Sequence, residues 1–328
     1  MSDKAKAVRI VGAGGPEVLR IEDFDRPVPG QGEILVEVAT AGLNRADCLQ
    51  RKGVYPAPKG TVVDVPGLEF SGVVCDLGPG TSRWQLGDSV MGICAGGAMA
   101  THLAVSEDVA MPIPRGMSLE TAGAIPEVFV TAYDALEQAE WAPDKSVLIH
   151  AIGSGVGSAA LLLAKRAGMQ VVGTSRTQEK LDKARELGLL HSVSVTEKTF
   201  AKAVKAELGG GADCILDFIG AAYLGENLKA IAQKGHLVVI GLLGGVKGDL
   251  PLGLLLAKRA TIVGTVLRSR SNTEKAELIT RFVRDVLPGF ESGELSPVID
   301  RVMPMTEIQQ AHQLLESNQS FGKIVMSW

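Results

Sequence analysis

The segment from Ser146 to Gly168 places a glycine-rich turn between a short strand and a helix. Val147–Ala151 is a mostly apolar run, as expected of a buried parallel strand. Glycines follow at alternate positions, and Ser158–Ala167 consists mainly of helix formers. A second apolar run begins at Met169. The segment therefore predicts a β-turn-α-β unit with its glycines between the first strand and the helix.

The glycine-rich turn of this unit is suited to binding an anion. The first amides of a helix lack intrahelical acceptors, and the helix dipole adds partial positive charge. Small residues also let a pyrophosphate approach the backbone. Ser158 stands where the pattern Gly-x-Gly-x-x-Gly has its last glycine, and an ordinary tight turn is the alternative interpretation. The strand-turn-helix-strand setting favours dinucleotide binding. The expected contacts are Gly153, Ser154, Gly155, Val156 and Gly157.

Composition limits the remaining classes of function. The chain has 328 residues, enough for two domains, and 46% apolar residues provide ample core. A formal net charge of −4 argues against binding to nucleic acid through general electrostatics. The sequence contains no apolar run of membrane-spanning length, no visible secretory signal and no Cys-x-x-Cys pair. We therefore expect a cytoplasmic protein with reduced thiols and no nucleic-acid or membrane partner.

The two ends of the chain differ from its middle. Up to about residue 120, short strands alternate with Gly and Pro turns, which predicts a barrel-like β domain. From about 147 to 265, strands alternate with helices, which predicts an open parallel sheet. The tail is expected to rejoin the first domain. The predicted segments are 1–121, 122–266 and 267–328.

Several longer motifs carry a family resemblance. In chain order they are Ala41–Asp47, Gln50–Pro56, Pro66–Gly72, Gly87-Asp88, Ile125–Glu127, His150–Gly157, Leu267–Arg270 and Phe321–Val325. With these motifs, nearly the whole chain resembles the zinc-free quinone oxidoreductase branch of the medium-chain dehydrogenase/reductase superfamily. That branch includes zeta-crystallin, and the chain is most similar to its tumour-suppressor-inducible subgroup. The resemblance implies an α/β fold, with a GroES-like β-barrel catalytic domain and an inserted Rossmann domain built on a doubly wound parallel sheet.

The resemblance also bears on a metal. Zinc-dependent members have a Cys where Asn44 stands, a His where Leu68 stands, and a third ligand near Glu127. Zinc needs thiolate, imidazole or carboxylate ligands, so Glu127 would be a lone ligand. The four-cysteine structural lobe is also missing. We therefore expect no zinc.

Without a metal, the chemistry that needs least help is hydride delivery to an acceptor that is already electrophilic. By resemblance, Asn44 and Tyr55 line the catalytic pocket. Tyr55 would donate a hydrogen bond to an acceptor carbonyl, and Asn44 would offer its amide to the same region or to the nicotinamide ribose. The alternative is that Tyr55 anchors a loop and Asn44 is a satisfied turn amide.

The nucleotide specificity is predicted from the end of the second strand. NAD-specific folds usually have Asp or Glu there, whereas this chain has Ser175 and Arg176, with Lys180 one turn later. Hydrogen-bond donors and positive charge suit a 2′-phosphate, so we expect NADPH. The family often has a Tyr near the end of the next strand, where this chain has Val195. The resemblance adds further cofactor contacts, each of which packing or surface charge would also explain: Thr131, Gly241, Leu242, Leu243, Leu267, Arg268, Gly322 and Lys323.

The segment Thr261–Thr265 is short, apolar and expected at a sheet edge. Relatives pair this edge across a two-fold axis, so we expect a homodimer. The expected activity is that of an NADPH:quinone oxidoreductase. Reduction of α,β-unsaturated ketones remains open, as does a nucleotide-binding protein with little catalysis.

Overall fold

The computed structural model describes residues 4–58, 60–195 and 199–328. The chain divides into two units, each built around its own main sheet. The first unit combines Met1–Val130 with Leu267–Trp328, and the second is Thr131–Val266.

The N-terminal part of the first unit is mainly β-structure. Its strands are β1 (Lys4–Ile10), β2 (Leu19–Asp25), β3 (Glu33–Leu43), β4 (Glu69–Leu77), β5 (Ser89–Ile93), β6 (His102–Ser106) and β7 (Ala110–Pro112). The helices that follow in this part are α1 (Arg45–Arg51), α2 (Leu119–Ala122) and α3 (Pro126–Gln138), which continues into the second unit. The sequence did not lead us to predict α1. It lies inside the Asn-Arg-Ala-Asp motif and begins after Asn44.

The second unit alternates strands and helices. Its strands are β8 (Ser146–Ile149), β9 (Gln170–Ser175), β10 (His191–Ser194), β11 (Ala212–Asp217), β12 (Ile231–Val239) and β13 (Thr261–Gly264). Its remaining helices are α4 (Gly155–Arg166), α5 (Gln178–Glu186), α6 (Ala201–Leu208), α7 (Leu224–Ala230) and α8 (Leu252–Lys258). All strand pairs are parallel, in the order β10-β9-β8-β11-β12-β13. This is the doubly wound order that we expected, and its direction reverses between β8 and β11.

The predicted start of the helix after β8 was wrong in a way that matters for the turn between them. Helix α4 begins at Gly155 rather than Ser158, because Ser154 caps it. Two of the turn glycines therefore belong to the first helical turn. Helix α3 begins at Pro126, in agreement with the preference of proline for a first helical turn.

The tail supplies α9 (Asn272–Asp285), α10 (Leu287–Glu291), β14 (Ile299–Pro304), α11 (Ile308–Glu316) and β15 (Lys323–Ser327). Strand β15 pairs antiparallel with β3 and parallel with β14, giving the order β14-β15-β3-β4-β5-β7, with β6 also paired to β3. Strands β1 and β2 form a separate hairpin. The C-terminal segment therefore completes the sheet that the N-terminal segment begins.

Among the residues with described structure, no helix combines the length and the apolar character needed to cross a membrane. The cytoplasmic location stays a prediction.

Gly322 provides a test of how tightly the last strand is packed. Its φ is +91°, and a Cβ built on it would lie 2.4 Å from the carbonyl oxygen of Val298. We expect Gly322→Ala to lower the free energy of unfolding by about 3 kcal/mol, from backbone strain and overlap together. In the control Gly32→Ala, φ is +71° and nothing lies within 4 Å of the added Cβ, so only strain remains. Denaturant unfolding measures the stability of both variants. Equal losses of unfolding free energy would show that the added Cβ at position 322 does not overlap with the Val298 carbonyl.

Candidate functional site

Asn44 lies in a buried polar cluster of the first unit. Lys323 on β15 forms an ion pair with Glu69 on β4, and the two side chains are 3% and 0% exposed. The ammonium of Lys323 also donates to Asn44 Oδ1 at 2.6 Å. Asn44 Nδ2 donates to Glu69 Oε1 at 2.9 Å and to the carbonyl of Gly42 at 3.2 Å. Both amide hydrogens of Asn44 are therefore used, so this side chain has no donor left for a ligand.

Glu69 is the central residue of this cluster, and sequence reasoning missed it. Its second oxygen accepts the backbone amide of Glu127 at 2.8 Å. Gly42 makes room for the cluster, because a Cβ there would lie 2.2 Å from a Glu69 oxygen and 2.6 Å from Lys323 Cε. The sequence does contain a signal that could have identified this residue, because Glu69 interrupts the apolar run of the Pro-Gly-Leu-Glu-Phe motif. A charge in a buried strand requires a partner of opposite sign.

Asp47 fixes the segment that presents Asn44. Its carboxylate accepts the amide of Asn44 at 2.8 Å and the amide of Gly67 at 2.9 Å. Burial raises the pKa of Asp47 to about 6, and these two hydrogen bonds, followed by the charges of Lys323 and Arg268, act in the opposite direction. Asp47 thus connects the start of α1 to the loop before β4.

Tyr55 lies in a second cluster of the first unit, on the segment after α1, where it is partly buried. The guanidinium carbon of Arg268 lies 5.1 Å from the centre of its ring. Arg268 is 4% exposed, so it is an interior residue of this unit. The structure thus groups Asn44 with Lys323, and Tyr55 with Arg268.

Glu127 stands at the start of α3, next to Glu69, and it is mostly buried. Burial, and then the charge of Glu69, raises the pKa of Glu127 to about 8. The carboxyl group is therefore mostly protonated at neutral pH. Glu127 is thus a carboxylic acid that carries a proton near neutral pH, a property that the sequence pattern alone did not indicate.

In the second unit, the turn after β8 presents backbone amides. The hydroxyl of Ser154 accepts the amide of Gly157 at 3.0 Å. The first i to i−4 bond of α4 joins the amide of Ser158 to the Ser154 carbonyl at 2.8 Å. The amides of Gly155 and Val156 thus have no acceptor within the helix and are available to an anion.

Gly157 is required by the tightness of this turn. A Cβ on Gly157 would lie 2.5 Å from the carbonyl oxygen of Ala151. Ser158 replaces the last glycine of the pattern without exposing a polar group, because it is 2% exposed and its hydroxyl donates to the Gly155 carbonyl at 3.0 Å. This geometry fits a nucleotide pyrophosphate at the turn.

The end of β9 carries donors and a cation rather than an acid. Ser175 is 7% exposed, and its hydroxyl accepts the amide of Thr177 at 3.2 Å. Arg176 is exposed and close enough to Tyr223 to oppose the burial that raises the pKa of that phenol. Lys180 follows in the first turns of α5, where it is partly buried.

A buried network holds the carboxyl ends of three strands. His150, fully buried after β8, bonds Thr174 Oγ1 at 2.9 Å and Asn227 Oδ1 at 2.7 Å. Asn227 Nδ2 donates to Asp217 Oδ2 at 3.0 Å. Burial lowers the pKa of His150 to about 4, so the imidazole is neutral and its role in this network is structural.

The remaining predicted cofactor contacts lie in both units. Gly241, Leu242 and Leu243 follow β12 on the carboxyl edge of its sheet, with Leu242 and Leu243 50% and 56% exposed. Thr131 is partly buried in α3. In the first unit, Leu267 is 6% exposed, and Gly322 precedes Lys323 of the Asn44 cluster.

The described residues include no group of three or more His, Cys, Asp and Glu side chains placed to hold a metal ion. The expectation of a zinc-free protein stays a prediction.

Comparison with known proteins shows the family to which the chain belongs. Residues 30–115 match the family model described as alcohol dehydrogenase GroES-like domain, and residues 155–284 match that described as zinc-binding dehydrogenase. The chain is 30% identical to the quinone oxidoreductase-like protein 2 homolog of Nematostella vectensis over 315 residues, which are 94% of this chain and 86% of that protein. The chain belongs to the medium-chain dehydrogenase/reductase superfamily.

Two solved structures agree with this membership. A structure described as an NAD-dependent alcohol dehydrogenase is 32% identical, has a TM-score of 0.87, and is matched over 98% of this chain and 99% of that one. The mycobacterial protein Rv1454c, complexed with NADPH, is 26% identical, has a TM-score of 0.87, and is matched over 99% and 100%. This superfamily member is thus an oxidoreductase with a nicotinamide cofactor.

Glu127 gives a pH-dependent prediction. Its pKa is raised from 4.5 to about 8 in the folded protein, so the folded state binds more protons than the unfolded state between these values. This one group therefore lowers the free energy of unfolding as pH rises from about 5 to 8, by at most ~1.4 kcal/mol per pH unit. Glu127→Gln lacks the ionisation and should gain stability relative to wild type over that range. Denaturant unfolding at a series of pH values measures the difference.

Glu120→Gln, which replaces an exposed glutamate in α2, provides the matched control and should leave the pH profile unchanged. A constant stability difference between Glu127→Gln and wild type from pH 5 to pH 8 would show that Glu127 ionises normally.

Proposed function

We propose that this oxidoreductase is an NADPH:quinone oxidoreductase that works without zinc. The observation that carries the proposal is the Asn44 cluster. Where zinc-dependent members resembling this chain have a cysteine ligand, Asn44 accepts a hydrogen bond from the ammonium of Lys323 at 2.6 Å. A zinc ion bound at Asn44 would lie beside this buried positive charge, and an amide is a weak ligand for it. The name of the Nematostella relative supports quinone as the acceptor class.

The residues of the second unit fit the nucleotide. The amides of Gly155 and Val156 would hold the pyrophosphate. Arg176 and Ser175 would hold the 2′-phosphate, with Lys180 adding positive charge. When bound, NADPH supplies the hydride, and the protein supplies position and a shielded pocket.

In the first unit, the Tyr55 cluster would contact the acceptor and the Asn44 cluster would contact the nucleotide. Tyr55 would donate its phenol hydrogen to the acceptor oxygen as negative charge develops there. Because both amide hydrogens of Asn44 are already used, its contact with the nucleotide would be a hydrogen bond accepted from a ribose hydroxyl rather than one donated to the substrate. The Lys323–Glu69 pair would keep the Asn44 amide in that orientation.

The decisive experiment measures steady-state oxidation of NADPH and NADH on metal-depleted protein, with an ortho-quinone, a para-quinone and a simple enone. We expect quinone turnover with NADPH preferred over NADH, and we expect Arg176→Ala to lower kcat/KM for NADPH about 10-fold or more, with little effect for NADH. The control Arg115→Ala removes an exposed arginine from the first unit and should change neither value.

Other outcomes contradict separate parts of the proposal. Turnover of the enone alone would assign alkene reduction instead. Tight NADPH binding without turnover of any acceptor would assign a nucleotide-binding protein. Activity that requires added zinc would contradict the metal-free mechanism, and equal efficiency with NADH would contradict the role of Arg176.

We also propose that the chain forms a homodimer through β13. This strand is the edge of the parallel sheet, and no residue of the neighbouring α8 is buried. Large apolar residues around these elements are 39–79% exposed: Leu242, Leu243, Val246, Leu250, Leu252, Leu256 and Val266. An exposed apolar sheet edge of this kind is usually covered by a partner.

Sedimentation velocity at micromolar concentration should give the mass of a dimer. Val263→Lys should shift it toward the monomer, because a lysine on an edge strand opposes strand pairing and is costly to bury. The control Val302→Lys places the same change on β14, the edge strand of the other sheet, where Val302 is 41% exposed. A monomeric wild-type protein would contradict the proposal.

A further inference from the structure

Arg268 is an interior cation with an unusual set of partners. Its Nε donates to the carbonyl of Ala95 at 2.8 Å, and its terminal nitrogens donate to Gln50 Oε1 at 2.6 Å and to the carbonyl of Tyr55 at 3.4 Å. In the described part of the chain, no carboxylate lies within ion-pair distance of it, and a buried carboxyl on which its charge acts is that of Asp47. Burying a cation without a paired anion is costly, so a purely space-filling role would favour an apolar residue.

The contacts of Arg268 converge on the segment that carries Tyr55. Gln50, which accepts from Arg268, also donates to the carbonyl of Val63 at 2.9 Å. Hydrogen bonds therefore hold the backbone at Tyr55 itself and again at Val63, eight positions further along the chain. On the opposite side, Lys275 donates to the carbonyl of Arg268 at 2.9 Å, which fixes the backbone that presents the guanidinium.

The guanidinium also acts on the phenol ring directly. It lies over the face of Tyr55, 5.1 Å from the ring centre. Burial raises the pKa of Tyr55, Arg268 opposes that rise, and Glu127 adds to it. A cation against the ring stabilises the negative charge that a phenol acquires as it donates a strong hydrogen bond.

We propose that Arg268 is a positioning residue that acts through Tyr55, holding the ring in place and strengthening its phenol as a hydrogen-bond donor. This inference rests on the proposed function, in which Tyr55 donates to the acceptor. It also gives Arg268 a role within the first unit, distinct from the cofactor contact that the family resemblance implied. All the partners of Arg268 named above belong to that unit.

The test is a double-mutant cycle on the full-length protein with NADPH and a quinone. Arg268→Met should lower kcat about tenfold in the wild-type background. In the Tyr55→Phe background, the same change should lower kcat less than about twofold, because the phenol through which Arg268 acts is gone. Arg268→Lys, which keeps the charge, should recover part of the loss. Arg83→Met removes an arginine that pairs with Asp108 on the surface and should leave kcat unchanged.

A second readout does not depend on activity. With a carbon-13 label at the tyrosine ζ carbon, the NMR resonance of Tyr55 is assigned by its loss in Tyr55→Phe, and its pH titration gives the pKa of the phenol. We expect Arg268→Met to raise that pKa, and Arg268→Lys to raise it less. Thermal melting of each variant shows whether the fold is kept, and Arg268→Lys provides the test if Arg268→Met does not fold.

Each outcome decides one point. Equal losses of kcat in both backgrounds, with an unchanged Tyr55 pKa, would overturn the inference. A rise confined to KM for NADPH would return Arg268 to cofactor binding and also overturn it. If wild type reduces no quinone, the proposed function fails, and the Tyr55 titration still decides whether Arg268 supports the phenol.

Discussion

The first unit depends on the buried ion pair between Lys323 and Glu69. This pair joins β15 to β4, and its hydrogen bonds extend to Asn44 after β3 and to the amide of Glu127 in α3. In a low-dielectric interior, removing one partner leaves an uncompensated charge, at a cost of about 3–5 kcal/mol. The four segments are therefore held as a set, and Asn44 is oriented before any ligand binds.

The second unit reaches a comparable preorganisation without a buried ion pair of this kind. The turn after β8 is held by the cap from Ser154 and by the lack of a side chain on Gly157. Below it, His150 and Asn227 join the ends of the neighbouring strands through hydrogen bonds. A nucleotide can then meet fixed amides at the point where the strand order reverses, which is where open α/β sheets bind ligands.

Local sequence signals predicted the regular elements well where one period dominated. The short strands that were expected before residue 120 and the strand-helix alternation expected from 147 to 265 are both present, because apolar runs there end at clear turn residues. Helix α1 was missed, although Asn44 and Asp47 have the spacing of a helix N-terminal cap, because the surrounding pattern is that of strands. Helix α8 was missed because Leu-Gly-Leu-Leu-Leu-Ala is apolar without a polar face, so it lacks the amphipathic pattern of a surface helix.

The sequence by itself determined the alternation of strands and helices, the glycine-rich turn and the family, because these signals reside in neighbouring residues. Only the tertiary structure decided what the charged residues do. Lys323 contacts Asn44 across 279 positions of the chain, and Arg268 contacts Gln50 across 218. No local periodicity encodes such pairs, since they arise when separate strands and loops fold into one interior. There, burial obliges each charge to find a partner, and that partner sets its role.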